Sequence, residues 1–202
     1  KVPAVQRAKL SNGLKIELTE RHELPDVNFA LVLDAGYAAD QGITAGTAKL
    51  TTTMLANGTR KRTALEISDQ LQLLGAQLTA GSNVDQTTVF LSAIKDKLRP
   101  SLDLYSDVIL NPSFPESDFN REKKLQLASI ERERVTPFQM GLRVLPALIY
   151  GKGHAYGNPL TGSGDTEGVT RLTREDLARF HETWFRPNNA TLIVVGDTTL
   201  AE

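Results

Sequence analysis

Five consecutive apolar residues, from Phe29 to Leu33, constrain the fold of this chain more than any other feature. The run lies inside "DVNFALVLDAGY" and is rich in residue types that favour strands. Because no position in it is polar, we expect a strand that is buried on both faces of a sheet. A similar segment, "NATLIVVGD", lies near the end of the sequence and predicts a second buried strand.

Other segments predict strands that pair with a close neighbour along the chain. Apolar and polar residues alternate on both sides of Asn12-Gly13, so we expect a β-hairpin closed by a type I′ turn. Two further strand-like runs, "AQLTAGS" and "QTTVFLSAI", are joined by residues 83–85. The sequence therefore predicts hairpins before and after its first helices.

Helical periodicity occupies most of the remaining chain. The predicted helices cover residues 44–56, 64–74, 97–110, 115–134, 137–149 and 173–185. We expect Pro146 to kink or shorten the fifth of them. Strands lead, helices cluster in the middle and a strand closes the chain. This order predicts an α+β fold, a two-layer sandwich in which helices pack on one face of a largely antiparallel sheet.

Composition excludes several classes of protein. The 202 residues contain no cysteine, which excludes disulfide frameworks, thiolate zinc sites and thiol nucleophiles. The formal net charge is −1 and no basic stripe is visible, so we predict no nucleic-acid partner. No apolar run approaches the roughly 20 residues of a membrane span, and the first residues lack the apolar core of a signal peptide.

Most catalytic motifs are missing from the sequence. It contains no G-x-S-x-G elbow, no Walker loop and no dinucleotide-binding fingerprint. "GSGDTEG" begins with Gly-x-Gly but follows no predicted strand, so we interpret it as a flexible surface loop. His22, His154 and His181 share no spacing that would pair them as metal ligands, and each is predicted to lie at or near the surface.

Several segments carry a recognisable pattern in the same order. They are "KLSNGLKIEL", "GTAKLTTTMLANGTRKRT", the stretch from "LQLLGAQLTAGS" to "NREKKL", and "LTREDLARFHETWFRPNNATLIVVGD". Together they resemble one domain of the insulinase/pitrilysin/mitochondrial processing peptidase family, over nearly the whole chain. The resemblance implies a single insulinase-like domain over residues 1–202. It further implies that this domain is the first domain of one half of a two-half peptidase, that this half lacks zinc, and that its companion domains lie outside this chain.

Active members of that family carry the inverted zinc motif H-x-x-E-H on their first helix. In the register set by "GTA" and "MLANGT", the motif falls on Lys49, Thr52 and Thr53. A lysine ammonium has no free lone pair, and threonine cannot replace a carboxylate base. The third ligand position falls on Ser129, while Glu122 resembles a supporting glutamate of active members. The resemblance therefore implies no catalytic residue, metal or cofactor in this domain, with zinc held by a partner half.

The resemblance also implies a surface for peptide substrate. Active members pair an extended substrate with an edge strand through main-chain hydrogen bonds. The matching substrate-binding residues here are Gln77, Leu78, Thr79, Ala80, Gly81 and Ser82. The alternative is an edge strand that faces solvent or is covered by a partner.

Three functions remain open at this point. The first is a non-catalytic domain that helps to enclose peptide substrate and assembles with a zinc-bearing insulinase-family domain or subunit. The second is a purely structural scaffold subunit that binds no peptide. The third is a hydrolase whose metal site is rebuilt from Glu122, Glu131, Glu133 or His154. By resemblance the location is periplasmic, with the cytoplasm as the alternative.

Overall fold

The computed structural model describes residues 4–202, and six strands of this part form one sheet. The strands are β1 (Gln6–Lys9), β2 (Lys15–Glu20), β3 (Asp26–Leu33), β4 (Gln77–Ser82), β5 (Thr87–Ile94) and β6 (Ala190–Gly196). Their order across the sheet is β1-β2-β6-β3-β5-β4. The β2–β6 pair is parallel and the other four pairs are antiparallel. The sheet is therefore largely antiparallel, as predicted.

Helices pack on this sheet and complete the predicted α+β fold. They are α1 (Thr47–Met54), α2 (Ala64–Leu74), α3 (Leu98–Leu110), α4 (Glu116–Val135), α5 (Pro137–Tyr150), α6 (Thr166–Arg171) and α7 (Arg174–Trp184). The first predicted helix begins three residues later than expected, at Thr47. The short helix α6 was not predicted, because its six residues show too little periodicity to stand out.

The sheet buries one face beneath the helices. Along β3, Val27, Phe29 and Leu33 are buried in the same cluster as residues of α1, α2, α3 and α7. Leu31 is buried with them, whereas Asn28, Ala30 and Val32 point to the opposite face and are only half-buried. The expectation of a strand buried on both faces is therefore wrong for one face. On that face Ala30 and Val32 are shielded by the flanking strands β5 and β6, so apolar residues are tolerated there.

The first hairpin closes with a different turn from the predicted type I′ turn. The N–H of Gly13 donates to the carbonyl of Leu10, and the N–H of Leu10 donates to the carbonyl of Leu14. The loop therefore has three residues, 11–13. Gly13 has a positive φ of 95°, whereas Asn12 does not share the positive φ that a type I′ turn requires. This is the geometry of a type I turn followed by a bulge at glycine.

Pro146 lies inside α5 without ending it. The helix continues to Tyr150, so the prediction that proline would shorten it is wrong. Proline has no N–H, which leaves the carbonyl of the residue four positions earlier, Leu142, without a helical donor. The backbone N–H of Leu160 donates to that carbonyl at 3.0 Å. The loop that follows α5 thus supplies the bond that the proline removes.

Helix α1 is packed on two sides. Ala48 and Leu55 belong to the core above the sheet. Leu50 and Met54 belong to a second cluster, which they share with Ile130 of α4 and with residues of α6 and α7. Since both sides are filled with apolar side chains, the helix is held firmly between the sheet and α4.

The start of α1 is held by a buried carboxylate. Asp40 accepts the backbone N–H of Gly46 at 2.7 Å and that of Ala48 at 2.9 Å, which satisfies donors that the first helical turn leaves free. Burial raises the pKa of Asp40 to about 7, although these hydrogen bonds pull it down. Gly46 has a φ of 100°, and a Cβ there would lie 2.7 Å from the amide nitrogen of Gln126. Asp40 and Gly46 together fix where the helix begins.

We predict that Asp40→Asn reduces the dependence of stability on pH between about 4 and 7. An aspartate in the unfolded chain loses its proton near pH 3.8, whereas folded Asp40 keeps it until about pH 7. Unfolding therefore becomes easier across this window as the pH rises. Urea unfolding at several pH values measures the slope. Asp69→Asn, at an exposed position of α2, is the matched control. An Asp40→Asn variant with the parent's slope would contradict the raised pKa.

Candidate functional site

The three motif positions on α1 have different environments. Lys49 is half-buried, and its ammonium donates to the carbonyl of Thr161 at 2.9 Å. Thr52 is buried and donates its hydroxyl to the carbonyl of Ala48. Thr53 is exposed. The polar atoms of Lys49 and Thr52 are thus bound to groups of the protein itself.

A chain of hydroxyl groups connects α1 with the β4–β5 hairpin. The hydroxyl of Thr52 lies 2.8 Å from that of Ser82, which lies 2.7 Å from that of Thr87. Thr87 in turn donates to the carbonyl of Ala35 at 2.7 Å. Ser82, which the sequence analysis assigns to substrate binding, therefore also supports α1 from the end of β4.

Strand β4 lies at one edge of the sheet, beside α1. It pairs with β5 on one side, and within residues 4–202 no other strand pairs with it. Its side chains alternate: Gln77, Thr79 and Gly81 are exposed, and the residues between them are half-buried. The edge position of this strand is therefore as predicted. Within residues 4–202 no strand covers its outer side, although the carbonyl of Ser82 accepts the hydroxyl of Tyr37.

A buried ion pair lies close to Lys49. Glu133 of α4 and Arg143 of α5 meet at 2.7 Å, with side chains only 4% and 11% exposed. The same carboxylate accepts the hydroxyl of Ser163 at 2.7 Å and that of Thr161 at 3.0 Å. Arg143 also donates to the carbonyl of Gly164 at 2.7 Å. The pair therefore has further hydrogen bonds on both partners, as a buried ion pair requires.

Lys49 belongs to this charged cluster. Burial lowers the pKa of Lys49, the charge of Glu133 raises it, and the charge of Arg143 lowers it again. Burial also raises the pKa of Glu133, but hydrogen bonds from Ser163, Arg143 and Thr161 outweigh that effect and hold it below its usual value. Two cations and one carboxylate thus lie close together beside the motif face of α1.

The residues assigned on α4 make their hydrogen bonds to groups other than Lys49. Ser129 is half-buried and donates its hydroxyl to Glu133 at 3.2 Å. Glu122 lies near the other end of α1, where it accepts from Asn57 and from Arg121. The acidic residue of α4 whose charge acts on Lys49 is Glu133, one helical turn beyond Ser129.

The acidic residues and histidines are dispersed. Glu131 pairs with Arg134 on the exposed side of α4, and His154 stacks on Tyr150 after α5. His22 bonds Asp197 and Glu20, and His181 bonds the carbonyl of Ile109. Within residues 4–202, no three His, Asp or Glu side chains are placed to share one metal ion.

The glycine-rich loop after α5 is not the flexible surface loop that the sequence indicated. Gly162, Ser163 and Gly164 are buried, and Asp165 caps α6. A Cβ at Gly164 would lie 2.0 Å from the carbonyl oxygen of Ala45, so only glycine fits against the start of α1. The loop is held by Arg143 and Glu133, which lie far from it in sequence.

Sequence reasoning did not assign a role to Arg143 or Asp40. Arg143 was detectable in principle, because it is the one charged residue in "PFQMGLRVLPALIY". A single charge in an apolar helix is expensive to bury without a partner. Asp40 gave no such signal, since an aspartate before a helix is common at the surface.

An α+β domain of this topology, with a charged long helix over α1 and an open edge strand beside it, is a peptidase-type domain of the insulinase class. The family model described as Insulinase (Peptidase family M16) matches residues 15–161. The model described as Peptidase M16 inactive domain matches residues 171–202. The chain belongs to the insulinase family, peptidase family M16.

Relatives of known name are similar along nearly the whole chain. The rat mitochondrial-processing peptidase subunit beta is 26% identical over 195 residues, which are 96% of this chain and 39% of that protein. Subunit 1 of the bovine cytochrome b-c1 complex is 23% identical over 96% of this chain and 40% of its own length. The chain therefore spans less than half the length of these relatives.

Solved structures share the fold. A peptidase M16 inactive domain from Pseudomonas fluorescens has a TM-score of 0.93 and 28% identity, covering 98% of this chain and 48% of its own. The periplasmic protease PqqL from Escherichia coli has a TM-score of 0.81 and 20% identity, over 98% of this chain and 22% of its own.

The location of the protein stays a prediction. In residues 4–202, none of the helices has the length and apolar character needed to cross a bilayer. Neither the predicted periplasmic location nor the cytoplasmic alternative follows from this finding. The relatives above carry mitochondrial names, and the structural neighbour PqqL is a periplasmic protein.

We predict that the Glu133–Arg143 pair is essential for stability. Glu133→Gln or Arg143→Met should each lower the free energy of unfolding by about 3–5 kcal/mol, because each leaves a buried charge without its partner. The double variant should lose less than the sum of the two. Guanidinium unfolding of the four proteins gives the coupling energy.

The exposed pair Glu131–Arg134 is the matched control for this cycle. Glu131→Gln, on the same helix, should cost less than about 1 kcal/mol, since exposed pairs contribute little. Equal losses at Glu131 and Glu133 would contradict the assigned importance of the buried pair.

Proposed function

We propose that this chain is a non-catalytic domain of an insulinase-family zinc metallopeptidase. In this role it helps to enclose and bind peptide substrate, and it assembles with a zinc-bearing half. The observation that carries the proposal is the motif face of α1, where Lys49 and Thr52 are bound to groups of the protein and Thr53 faces outward.

The donor set on this face does not fit a zinc ion. Zinc binds lone pairs of histidine, cysteine or carboxylate, three or four of them in tetrahedral arrangement. Lys49 offers an ammonium group and Thr52 a neutral hydroxyl that is already engaged. The nearest carboxylate, Glu133, is neutralised by Arg143. A dication would meet two fixed cations here, which disfavours its binding.

The rebuilt metal site is the weakest of the three alternatives. It would require Glu122, Glu131, Glu133 or His154 to converge on one point. Glu122 instead accepts from Asn57 and Arg121, and Glu131 pairs with Arg134. Glu133 pairs with Arg143, and His154 stacks on the ring of Tyr150. Convergence would need the buried Glu133–Arg143 pair to break.

Peptide binding is supported by the open edge of β4. An extended peptide can add to such an edge by main-chain hydrogen bonds, and it requires no particular side chain to do so. The exposed side chains Gln77, Thr79 and Gly81 are small or polar, so they leave the edge accessible. The inner side of the strand is fixed to α1 through Ser82. The strand is thus held in place at its Ser82 end, and its open edge is available to a peptide.

One relative favours a second candidate function. Subunit 1 of the cytochrome b-c1 complex is named as part of an assembly and not as a peptidase. By that analogy this chain would be a structural scaffold subunit without peptide binding. Peptide binding by β4 separates the two candidates.

We predict that the purified chain retains no stoichiometric zinc. After dialysis against metal-free buffer, mass spectrometry for metals should find less than about 0.1 zinc per chain, since the ligands of a zinc site are lacking. Stoichiometric zinc that disappears in Glu122→Gln or Glu133→Gln would overturn the proposal and favour the rebuilt site.

We predict that peptide binding depends on the main chain of β4. Proline substitutions at Thr79 and Ala80 remove N–H groups that point to opposite sides of the strand. The variant whose lost N–H faces the open edge should bind a labelled, unstructured insulin B chain at least about tenfold more weakly. Its melting temperature should be nearly unchanged. Fluorescence anisotropy measures the affinity.

The other proline variant should instead lose stability, because it breaks the ladder with β5. Thr79→Ala keeps the main chain and serves as the control, with affinity close to the parent's. Failure of the parent chain to bind the peptide would favour the scaffold function.

A further inference from the structure

The open edge of β4 ends at Ser82. Tyr37 donates its hydroxyl to the carbonyl of Ser82 and its backbone N–H to the carbonyl of Asn83 at 2.8 Å. The backbone N–H of Ala38 donates to the carbonyl of Val84 at 2.8 Å. Residues 37–38 therefore occupy the place where a further strand would continue past β4. An extended peptide that adds to β4 must end or turn away near Ser82.

Lys49 approaches this end of the strand from α1. The hydroxyl of Thr52 lies 2.8 Å from that of Ser82. Lys49 precedes Thr52 by three residues, so the two side chains lie on the same face of α1. Lys49 is the one charged residue of α1, and β4 contains no charged residue. The ammonium of Lys49 is therefore the one charge that these two elements offer to a peptide at this edge.

A second series of contacts leads from Lys49 to the same place. Its ammonium donates to the carbonyl of Thr161 at 2.9 Å. The next residue, Gly162, is buried, and a Cβ built on it would lie 2.3 Å from the ring of Tyr37. That ring carries the hydroxyl that bonds Ser82. The ammonium thus lies between α1 and the segment 161–162, beside the end of the open edge.

The ammonium of Lys49 has donors left for a further partner. It carries three N–H groups. Within residues 4–202, Thr161 is its one hydrogen-bond acceptor and no carboxylate forms an ion pair with it. Glu133, whose charge acts on Lys49, is engaged by Arg143, Ser163 and Thr161 instead. Because Lys49 is half-buried, a charge-assisted hydrogen bond from it is stronger than one made in open water.

We propose that Lys49 binds a carboxylate of the peptide that adds to β4, so that this edge selects peptides with an anionic group at the Ser82 end. The inference rests on the peptide binding proposed above and names the class of peptide. A peptide parallel to β4 would bring its C-terminal carboxylate to Lys49. An antiparallel peptide would bring an Asp or Glu side chain near its amino end. A basic side chain at this place would be repelled.

Short unstructured peptides of one neutral sequence test the proposal, all with acetylated amino ends and an uncharged fluorophore. One has a free C-terminus and one an amidated C-terminus, and two amidated peptides carry either Glu or Lys near the amino end. In fluorescence anisotropy, the parent chain should bind one of the carboxylate peptides at least about tenfold more tightly than the neutral peptide. The Lys peptide should bind no better than the neutral one. A preference for the free C-terminus identifies the parallel orientation, and a preference for Glu the antiparallel one.

Variants separate Lys49 from the rest of the surface. Lys49→Met should remove the preference, whereas Lys49→Arg should keep it. Thr53→Glu should weaken it too, because Thr53 is exposed one turn from Lys49 and a carboxylate there would pair with the ammonium. Lys97→Met is the matched control, since this exposed lysine follows the end of β5 that lies away from Ser82. It should bind like the parent, and the melting temperatures show that each variant is folded.

Equal affinity of the parent chain for the carboxylate and neutral peptides would overturn this inference and leave peptide binding by β4 in place. An unchanged preference in both Lys49→Met and Thr53→Glu would overturn it as well. Absence of binding for every peptide would overturn the inference together with the proposed peptide binding, and would favour the scaffold function.

Discussion

The ion pair between Glu133 and Arg143 is the interaction on which the candidate site depends. Neither charge could remain buried without the other, and each brings further hydrogen bonds that fix a different segment. Glu133 bonds Ser163 and Arg143 bonds Gly164. The glycine-rich loop that contains these two residues packs against the start of α1. The start of α1 is therefore supported by Glu133 and Arg143, which are distant in sequence, as well as by the neighbouring Asp40.

The same pair explains two features that look unrelated. It places both of its charges close enough to Lys49 to act on the pKa of that side chain, Glu133 raising it and Arg143 lowering it. It also turns the polar side of α5 inward, so the apolar side is left outside. A single buried interaction thus fixes the surroundings of Lys49 and leaves apolar side chains of α5 exposed.

Sequence reasoning succeeded where the signal was local. Helix α2 was placed with both of its ends, since Thr63 caps its start and Gly75 ends it in the left-handed conformation. Strand β4 was found from its local pattern, whereas its position at the edge of the sheet came from the family resemblance. The glycine-rich loop was misjudged because its burial depends on Arg143 and Glu133, and the turn at Gly13 because a bulge was not considered. The lone charge of Arg143 in an apolar helix was a local signal that it needs a partner, but contacts between distant segments carry no local signal, so Glu133 and the loop could not be assigned to it.

The apolar packing of α1 depends little on the residues at Lys49 and Thr53. Ala48, Leu50, Met54 and Leu55 supply the packing on two sides of the helix. Lys49 and Thr53 lie outside both clusters, so their identity has little effect on the core. Substitutions at these two positions are therefore expected to leave the fold intact. The edge strand β4 and the exposed apolar side of α5 belong to other elements, so they do not depend on which residues occupy these two positions.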